Sequence, residues 1–463
     1  MDSKDIGKEI LRDPILSRLS ILAKENSIPL FLVGGYIRDL FLGIHRKDYD
    51  FTLPKEASSF IPMIEEALQL HFFKIGKEEI HTITYRIVKK ELSIDLTLFQ
   101  GKTIEEDLQR RDFSINATAF SLWDETFHFI EGALEDIRKR VIRSVSTHSI
   151  DQDPLRMLRA IRYLCTRDDF IIDTELKEEI SSKKEQIEKV PGERIKMELD
   201  QILLSPRAEM GIKSLYELGL LFILMPELQG LENLGQNEHH HLDVLSHIFL
   251  MIGKISWSSQ WIAQGRREVS LFQEDWLSLH YAVLFHDVGK QDTYTKDEKG
   301  RVHFYHHEAF SCQRAEKIME RLRFSNPMRD KVLRLIQHHM RILNLSGETK
   351  ETALKRLVNQ MAEETPLLVI LTLADKEASR GILSVQTDEV VEGHSLRILD
   401  LFKEKEIIHP PPLITGHDVM ALGYSPGPKV GQILDFIRGK QVEGEIKTRE
   451  EALNVLIEKF ALN

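Results

Sequence analysis

LVGGYIRDLFLGIHRKDYDFTL, residues 32–53, decides how the first third of the chain is read. A short apolar run from Ile28 to Val33 ends in paired glycines, Gly34 and Gly35. Such a run reads as a buried strand, and the glycines let the chain turn sharply from it into a helix. YIRDLFLG is that helix, closed by Gly43 as a C-cap. DYDFTLP follows as a second strand, stopped by Pro54. Asp48 and Asp50 stand two apart on this strand, so their side chains share a face.

Further strands follow. HTITYRIV (His81–Val88) and LSIDLTLF (92–99) both alternate in polarity, and Asp95 lies in the second. Residues 1–27 read as amphipathic helix. The first 120 residues therefore predict a small mixed sheet with a few helices. From about Asp153 onward helical spacing takes over. Leu155, Leu158, Ile161 and Leu164 form one stripe, and Arg156, Arg159 and Arg162 another. Pro191-Gly192, Pro226 and the polar LGQNEHHH (234–241) mark helix breaks, and HPPPLITG (409–416) reads as a linker. The expected fold class is α+β, a mixed-sheet head followed by an all-α region.

With 463 residues the chain is too long for one compact core. It has no run of 18 apolar residues, so no membrane partner is expected. The first residues carry charges of both signs and no apolar signal core. Two cysteines, Cys165 and Cys312, exclude a disulfide framework, and a reducing cytoplasm is the simple expectation. Net charge is −11, from 62 basic and 73 acidic residues, which argues weakly against a nucleic-acid partner. Arg138, Lys139, Arg140, Arg143, Arg156, Arg159 and Arg162 nevertheless crowd one stretch. That stretch reads either as a local basic face or as an ordinary solvated helix surface.

Asp48 and Asp50 can share divalent cations through oxygen ligands, with Asp95 from a neighbouring strand completing the set. Two such metals serve an in-line phosphoryl displacement. Gly34 and Gly35 leave room for a triphosphate at the backbone N–H groups, with Arg38 downstream. An Asp-x-Asp pair alone is common by chance on strand edges.

The motif series supplies what the pair lacks. LVGGYIRDLFLG…KDYDFTL resembles the signature of polymerase-beta-like nucleotidyltransferases, in the class II family of bacterial CCA-adding enzymes and poly(A) polymerases. EEDLQRRDFSINATAF (Glu105–Phe120) is similar to that family's second motif. DQDPLRMLRAIRYL resembles its nucleotide-selecting motif, and PGERIKMELDQIL the helix that follows. The resemblance implies Asp48 and Asp50 as Mg²⁺ ligands and Asp95 as third carboxylate. It implies that Arg111, Asp112 and Asn116 contact the triphosphate and sugar of ATP or CTP. Asp153 and Arg156, three apart on a predicted helix, would match the edge of cytosine or adenine and reject uracil. Arg159 and Arg162 extend that nucleotide-binding face. Gln152 stands where the family usually has an acid.

Family members that add both C and A resemble one another in a long flexible loop after the third-carboxylate strand. Here only QGKTIE separates Phe99 from EDLQRRD. That shortness resembles the A-adding branch. Full CCA addition and poly(A) synthesis are alternatives.

A second constellation lies in the helical half. His247, His286-Asp287 in LFHDVGK, His307, His338-His339 and Asp375 carry metal-ligand chemistry. With 19 histidines some clustering is expected by chance. The order His, His-Asp, His, His, Asp resembles the HD-domain phosphohydrolases. The resemblance implies His247, His286, Asp287, His307, His338 and Asp375 as ligands of a divalent metal, with His338 and His339 not separable. It further implies phosphatase or cyclic phosphodiesterase action on RNA ends. The expected division is a head (1–145), a neck and body (146–235), an HD-like domain (236–385) and a helical tail (386–463). The expected partner is tRNA, gripped by its acceptor and T arms. Rival readings are an HD-type hydrolase with a nucleotide-sensing head, and a non-catalytic RNA-binding protein.

Overall fold

The computed structural model describes residues 3–75, 83–89, 92–99, 101–167, 169–235, 242–265, 267–379, 385–404, 407 and 411–461. His81 and Thr82 of the predicted strand, residues 236–241 of the polar segment and residues 409–410 of the linker lie outside them. The chain forms two compact units. One comprises Met1–Glu198 and Ser214–Ile223, the other Leu199–Lys213 and Leu224–Asn463.

The first unit is built on a seven-stranded sheet. Its strands are β1 (Phe31–Val33), β2 (Asp48–Leu53), β3 (Phe73–Ile75), β4 (Thr84–Lys89), β5 (Leu92–Leu98), β6 (Thr118–Ser121) and β7 (Phe127–Phe129), in the order β3-β4-β5-β2-β1-β6-β7. Only β2 and β5 pair in parallel within this sheet; the other neighbours are antiparallel. Alternation decides the faces. Leu32, Tyr49, Phe51, Ile87, Ile94, Leu96 and Phe120 turn to one side. There they bury against Ile6, Ile10, Leu16 and Leu19 of the two N-terminal helices, Ser3–Arg12 and Pro14–Glu25. The opposite face carries Asp48, Asp50 and Asp95, with a smaller core of Phe31, Val33, Ile104, Leu108 and Ala119 beside them. A polar row can be left open only because the hydrophobic requirement is met on the other face.

The helix predicted across DPLRMLRAIRYLC is broken. A short helix ends at Gln152, Asp153 is extended (φ −149°, ψ 100°), and the long helix begins at Arg156. Pro154 causes the break, because its ring disfavours helical backbone at the preceding residue. Asp153 and Arg156 therefore do not share a helix face, contrary to the spacing argument.

Among its described residues the second unit has helices and one small hairpin, Tyr294–Lys296 with Val302–Phe304. Helix Thr365–Ala378 is buried on nearly all sides and packs against Val244–Gln264 and Gln273–Phe285. The last three helices, from Gly416 to Phe460, enclose a core of their own around Val419, Ile433, Ile437 and Leu456. Among the described residues no helix is long and apolar enough to cross a membrane.

Candidate active site

Gly34 sits at the end of β1 with φ +73°, and its N–H donates to Thr118 O at 2.9 Å. A side chain there would be strained, and its Cβ would stand 3.2 Å from Arg111 Nη1 and 3.9 Å from Asp50 Oδ2. The Gly34 turn thus brings the backbone, Asp50 and Arg111 into one small space. Asp48 and Asp50 are both exposed on the open face of β2. Asp95 stands directly beside Asp50 in the parallel β2–β5 register. Crowding by protein, and then the charges of Asp95 and Asp48, raise the Asp50 carboxyl above the ordinary carboxylate range; Arg111 opposes them. Clustered carboxylates whose charges repel one another are suited to divalent cations.

Asp95 has a partner that sequence spacing did not reveal. Arg86, opposite it on β4, donates from Nε to Oδ1 and from Nη2 to Oδ2, each at 2.6 Å. Beside them a cavity of about 240 Å³ is lined by Ile83, Thr84, Thr97, Leu98, Asp107, Arg110 and Arg111.

The remaining expected nucleotide contacts are largely engaged with protein. Arg38 is buried, donates to Asp39 at 2.8 Å and to Asn116 Oδ1, and lies 5.3 Å from the Tyr163 ring centre. It holds the helix after Gly35 in place instead of reaching the open face. Asp112 is 7% exposed and accepts from Phe113 N, Asn116 Nδ2 and, in a two-pronged pair, Arg159 Nε (2.8 Å) and Nη2 (2.6 Å). Burial alone would raise its pKa; Arg159 and Asn116 overrule it and hold the carboxyl at about 2. Arg162 pairs with Glu198 at 3.2 Å. Arg156 donates to Ser149 and to Arg110 O, and Asp153 pairs instead with Arg194 at 2.8 Å. The basic stretch is likewise largely matched by acids: Lys139 with Glu135, Arg140 with Asp169, Arg143 with Asp136. The solvated-surface reading fits those three better than a free basic face.

In the second unit, His247, His286, Asp287, His307, His339 and Asp375 are buried together. His247 Nε2 is 3.2 Å from Asp375 Oδ1, and His286 Nε2 and His307 Nε2 are 3.1 and 3.3 Å from Asp287. His339 Nε2 lies 3.1 Å from His307 Nε2. His338 is not in this group: it is half-buried and faces Gln360. The structure thus separates the two neighbours, placing His339 where His338 was expected. One residue along a helix turns a side chain by about 100°, so only one of an adjacent pair can face the cluster. Nδ1 of His286, His307 and His339 each meets a backbone carbonyl three residues earlier, at 2.8, 2.9 and 2.7 Å. Those carbonyls require N–H at Nδ1, which leaves Nε2 as a lone pair. Facing lone pairs at 3.1 Å need a positive charge between them, an imidazolium proton or a metal ion. Burial, and the neighbouring His286 and His307, hold His339 neutral, with its pKa at about 3.

Comparison with known proteins places the chain in a family. Residues 30–143 match the poly A polymerase head domain, 169–231 the probable RNA and SrmB-binding site of polymerase A, and 294–457 the putative domain 2 of tRNA nucleotidyltransferase. The chain is 34% identical over 442 residues to the CC-adding tRNA nucleotidyltransferase of Thermus thermophilus, covering 92% of this chain and 93% of that protein. The chain belongs to the tRNA nucleotidyltransferase family. The A-adding tRNA nucleotidyltransferase of Deinococcus radiodurans is 30% identical over 433 residues, covering 91% of this chain and 93% of that one. The fold is that of the Thermotoga maritima CCA-adding enzyme solved with tRNA: TM-score 0.61, 21% identity, 99% of this chain and 98% of the other. Membership of this nucleotidyltransferase family implies use of a divalent metal, and the open row of Asp48, Asp50 and Asp95 offers the oxygen donors it needs. Three residues of this nucleotidyltransferase went unread in the sequence: Arg86, Asp107, which meets Arg111 at 3.3 Å, and Arg194. Strand register brings in Arg86 and tertiary contact Arg194, whereas Asp107 lies four residues before Arg111 and its spacing could have shown the pair.

Proposed function

We propose that this chain extends the 3′ end of tRNA by part of its CCA terminus, the terminal 3′-hydroxyl attacking the α-phosphate of a nucleoside triphosphate with release of pyrophosphate. The observation that carries this reading is the open row of Asp48, Asp50 and Asp95 beside Gly34 and Arg111. Mg²⁺ bound by these carboxylates would supply the charge that activates the hydroxyl and steadies the pyrophosphate. Arg111 binds phosphate oxygens at the Gly34 turn. Asp153 and Arg156, once released from Arg194 and Ser149, read the base edge. The acceptor and T arms of tRNA bind the helical neck and body (146–235) and tail (386–463), and the head spans 1–145.

The choice of nucleotide follows from the short connection after β5. Phe99 N–H is bonded to Leu53 O at 2.9 Å, and Lys102 N–H to Glu106 Oε2 at 2.8 Å. Thr103 already caps the helix Ile104–Leu108. So little slack supports a pocket of one fixed specificity, not one that switches from C to A. The Thermus and Deinococcus relatives are named for adding one part of the end each, CC at 34% identity and A at 30%. CC addition is therefore the leading reading, with A addition second.

A second reading is carried by the buried histidines. Residues 236–385 are an HD-like domain in which His247, His286, Asp287, His307, His339 and Asp375 hold a divalent metal for phosphoester hydrolysis at RNA ends.

The test presents CTP, ATP or both to tRNA lacking CCA, tRNA ending in CC and an unstructured RNA. Addition of two C to the first alone supports the leading reading. One A on the second supports A addition, complete CCA overturns fixed specificity, and a long A tail on the third overturns the tRNA substrate.

A further inference from the structure

The chemistry proposed for Asp48, Asp50 and Asp95 leaves Arg86 without a task. Yet strand register places Asp50, Asp95 and Arg86 side by side on three neighbouring strands. The Arg86 guanidinium spans both Asp95 oxygens at 2.6 Å, while its side chain is 41% exposed and that of Asp95 only 20%. A two-pronged guanidinium–carboxylate pair fixes the carboxylate plane as well as its charge. It uses one lone pair on each oxygen and leaves the other available. The alternative is a cross-strand pair that serves only the sheet.

We propose that Arg86 is a positioning residue for nucleotidyl transfer. It holds the Asp95 carboxylate in one orientation and offsets one of the three clustered negative charges. The resting affinity of the cluster for free divalent cation is thereby kept low. This rests on the transferase reading of the head. Orientation and charge then separate by substitution. Arg86→Ala removes both, whereas Arg86→Lys returns the charge without the planar fork.

The experiment uses the full chain and two readouts. Mn²⁺ binding is followed by the electron paramagnetic resonance signal of free Mn²⁺. The head's share is isolated by subtracting the isotherm of an Asp48→Asn/Asp50→Asn chain. Single-turnover incorporation is measured at saturating Mg²⁺ and nucleotide. Arg86→Ala is expected to bind Mn²⁺ roughly threefold tighter or more, since a nearby positive charge is gone. It is expected to incorporate nucleotide at least about tenfold more slowly, as an interaction lost in the transition state predicts. Arg86→Lys is expected to restore Mn²⁺ affinity to within about twofold and leave the rate low. Unchanged Mn²⁺ affinity and rate in Arg86→Ala overturn the proposal and leave only the sheet role. Weaker Mn²⁺ binding overturns the charge argument, and a wild-type rate in Arg86→Lys overturns the orientation argument. Thermal melting checks that each variant folds, and Arg86→Gln replaces Arg86→Ala if that chain does not. A wild-type chain that incorporates nothing would instead sink the transferase reading, while the Mn²⁺ isotherms still report on Arg86.

Discussion

Asp112 is a motif residue whose carboxylate is fully engaged by protein. The motif assigned it to the triphosphate; the fold buries it against Arg159, Asn116 and Phe113. Charge removed from one side of such a pair leaves the other uncompensated. Arg159→Ala should therefore cost about 2 kcal/mol, below the usual range for fully buried pairs because a third of Arg159 is exposed. Urea unfolding at pH 7 measures this. The pH dependence has a definite sign. The folded carboxyl is held at about 2, below the ordinary 3.8, so it stabilises the fold above about pH 4 and loses that contribution as pH falls towards 2. The stake is about 2 kcal/mol. Asp112→Asn should flatten the stability curve in this window, and an equal acid slope in both proteins would refute the assignment.

At the scale of elements, the strand that carries Asp48 and Asp50 was legible because its residues alternate at its start and Pro54 stops it. The Gly34 turn was legible because few residues other than glycine tolerate its φ. What escaped depended on pairing across elements. Arg86 looks like any residue of an alternating strand until register sets it opposite Asp95. Asp153 was misplaced for a local reason, since Pro154 overrode the helical spacing. The Gly34 turn can be tested against another glycine of similar positive φ. Gly34→Ala should lose about 1–2 kcal/mol to strain. It should also raise the KM for nucleotide several-fold, because the new Cβ meets Arg111 at 3.2 Å. Gly43→Ala, at φ +75° with nothing within 4 Å of the new Cβ, should lose only the strain. Equal KM values in the two variants would remove Gly34 and Arg111 from the nucleotide site.

At the scale of the whole molecule, the two candidate metal-ligand sets lie in different compact units, so their chemistries should be separable. The carboxylate row is made of oxygen donors and suits Mg²⁺; the buried set is mostly imidazole and suits Co²⁺ or Ni²⁺. Ni²⁺ at a hundred times its Kd should stabilise the second unit by about 2.7 kcal/mol, a rise in Tm of about 5 °C or more. A chelator should reverse it. His339→Ala should abolish the rise and His338→Ala should keep it, because only His339 turns Nε2 into the cluster. Asp50→Ala should lose nucleotide incorporation by at least about a thousandfold, the scale expected for a residue needed in the transition state, yet keep the Ni²⁺ response. His339→Ala should do the reverse. A Ni²⁺ rise that survives His339→Ala would place the ion outside this cluster, whereas no rise in the wild-type chain would mean that a proton balances the facing imidazoles.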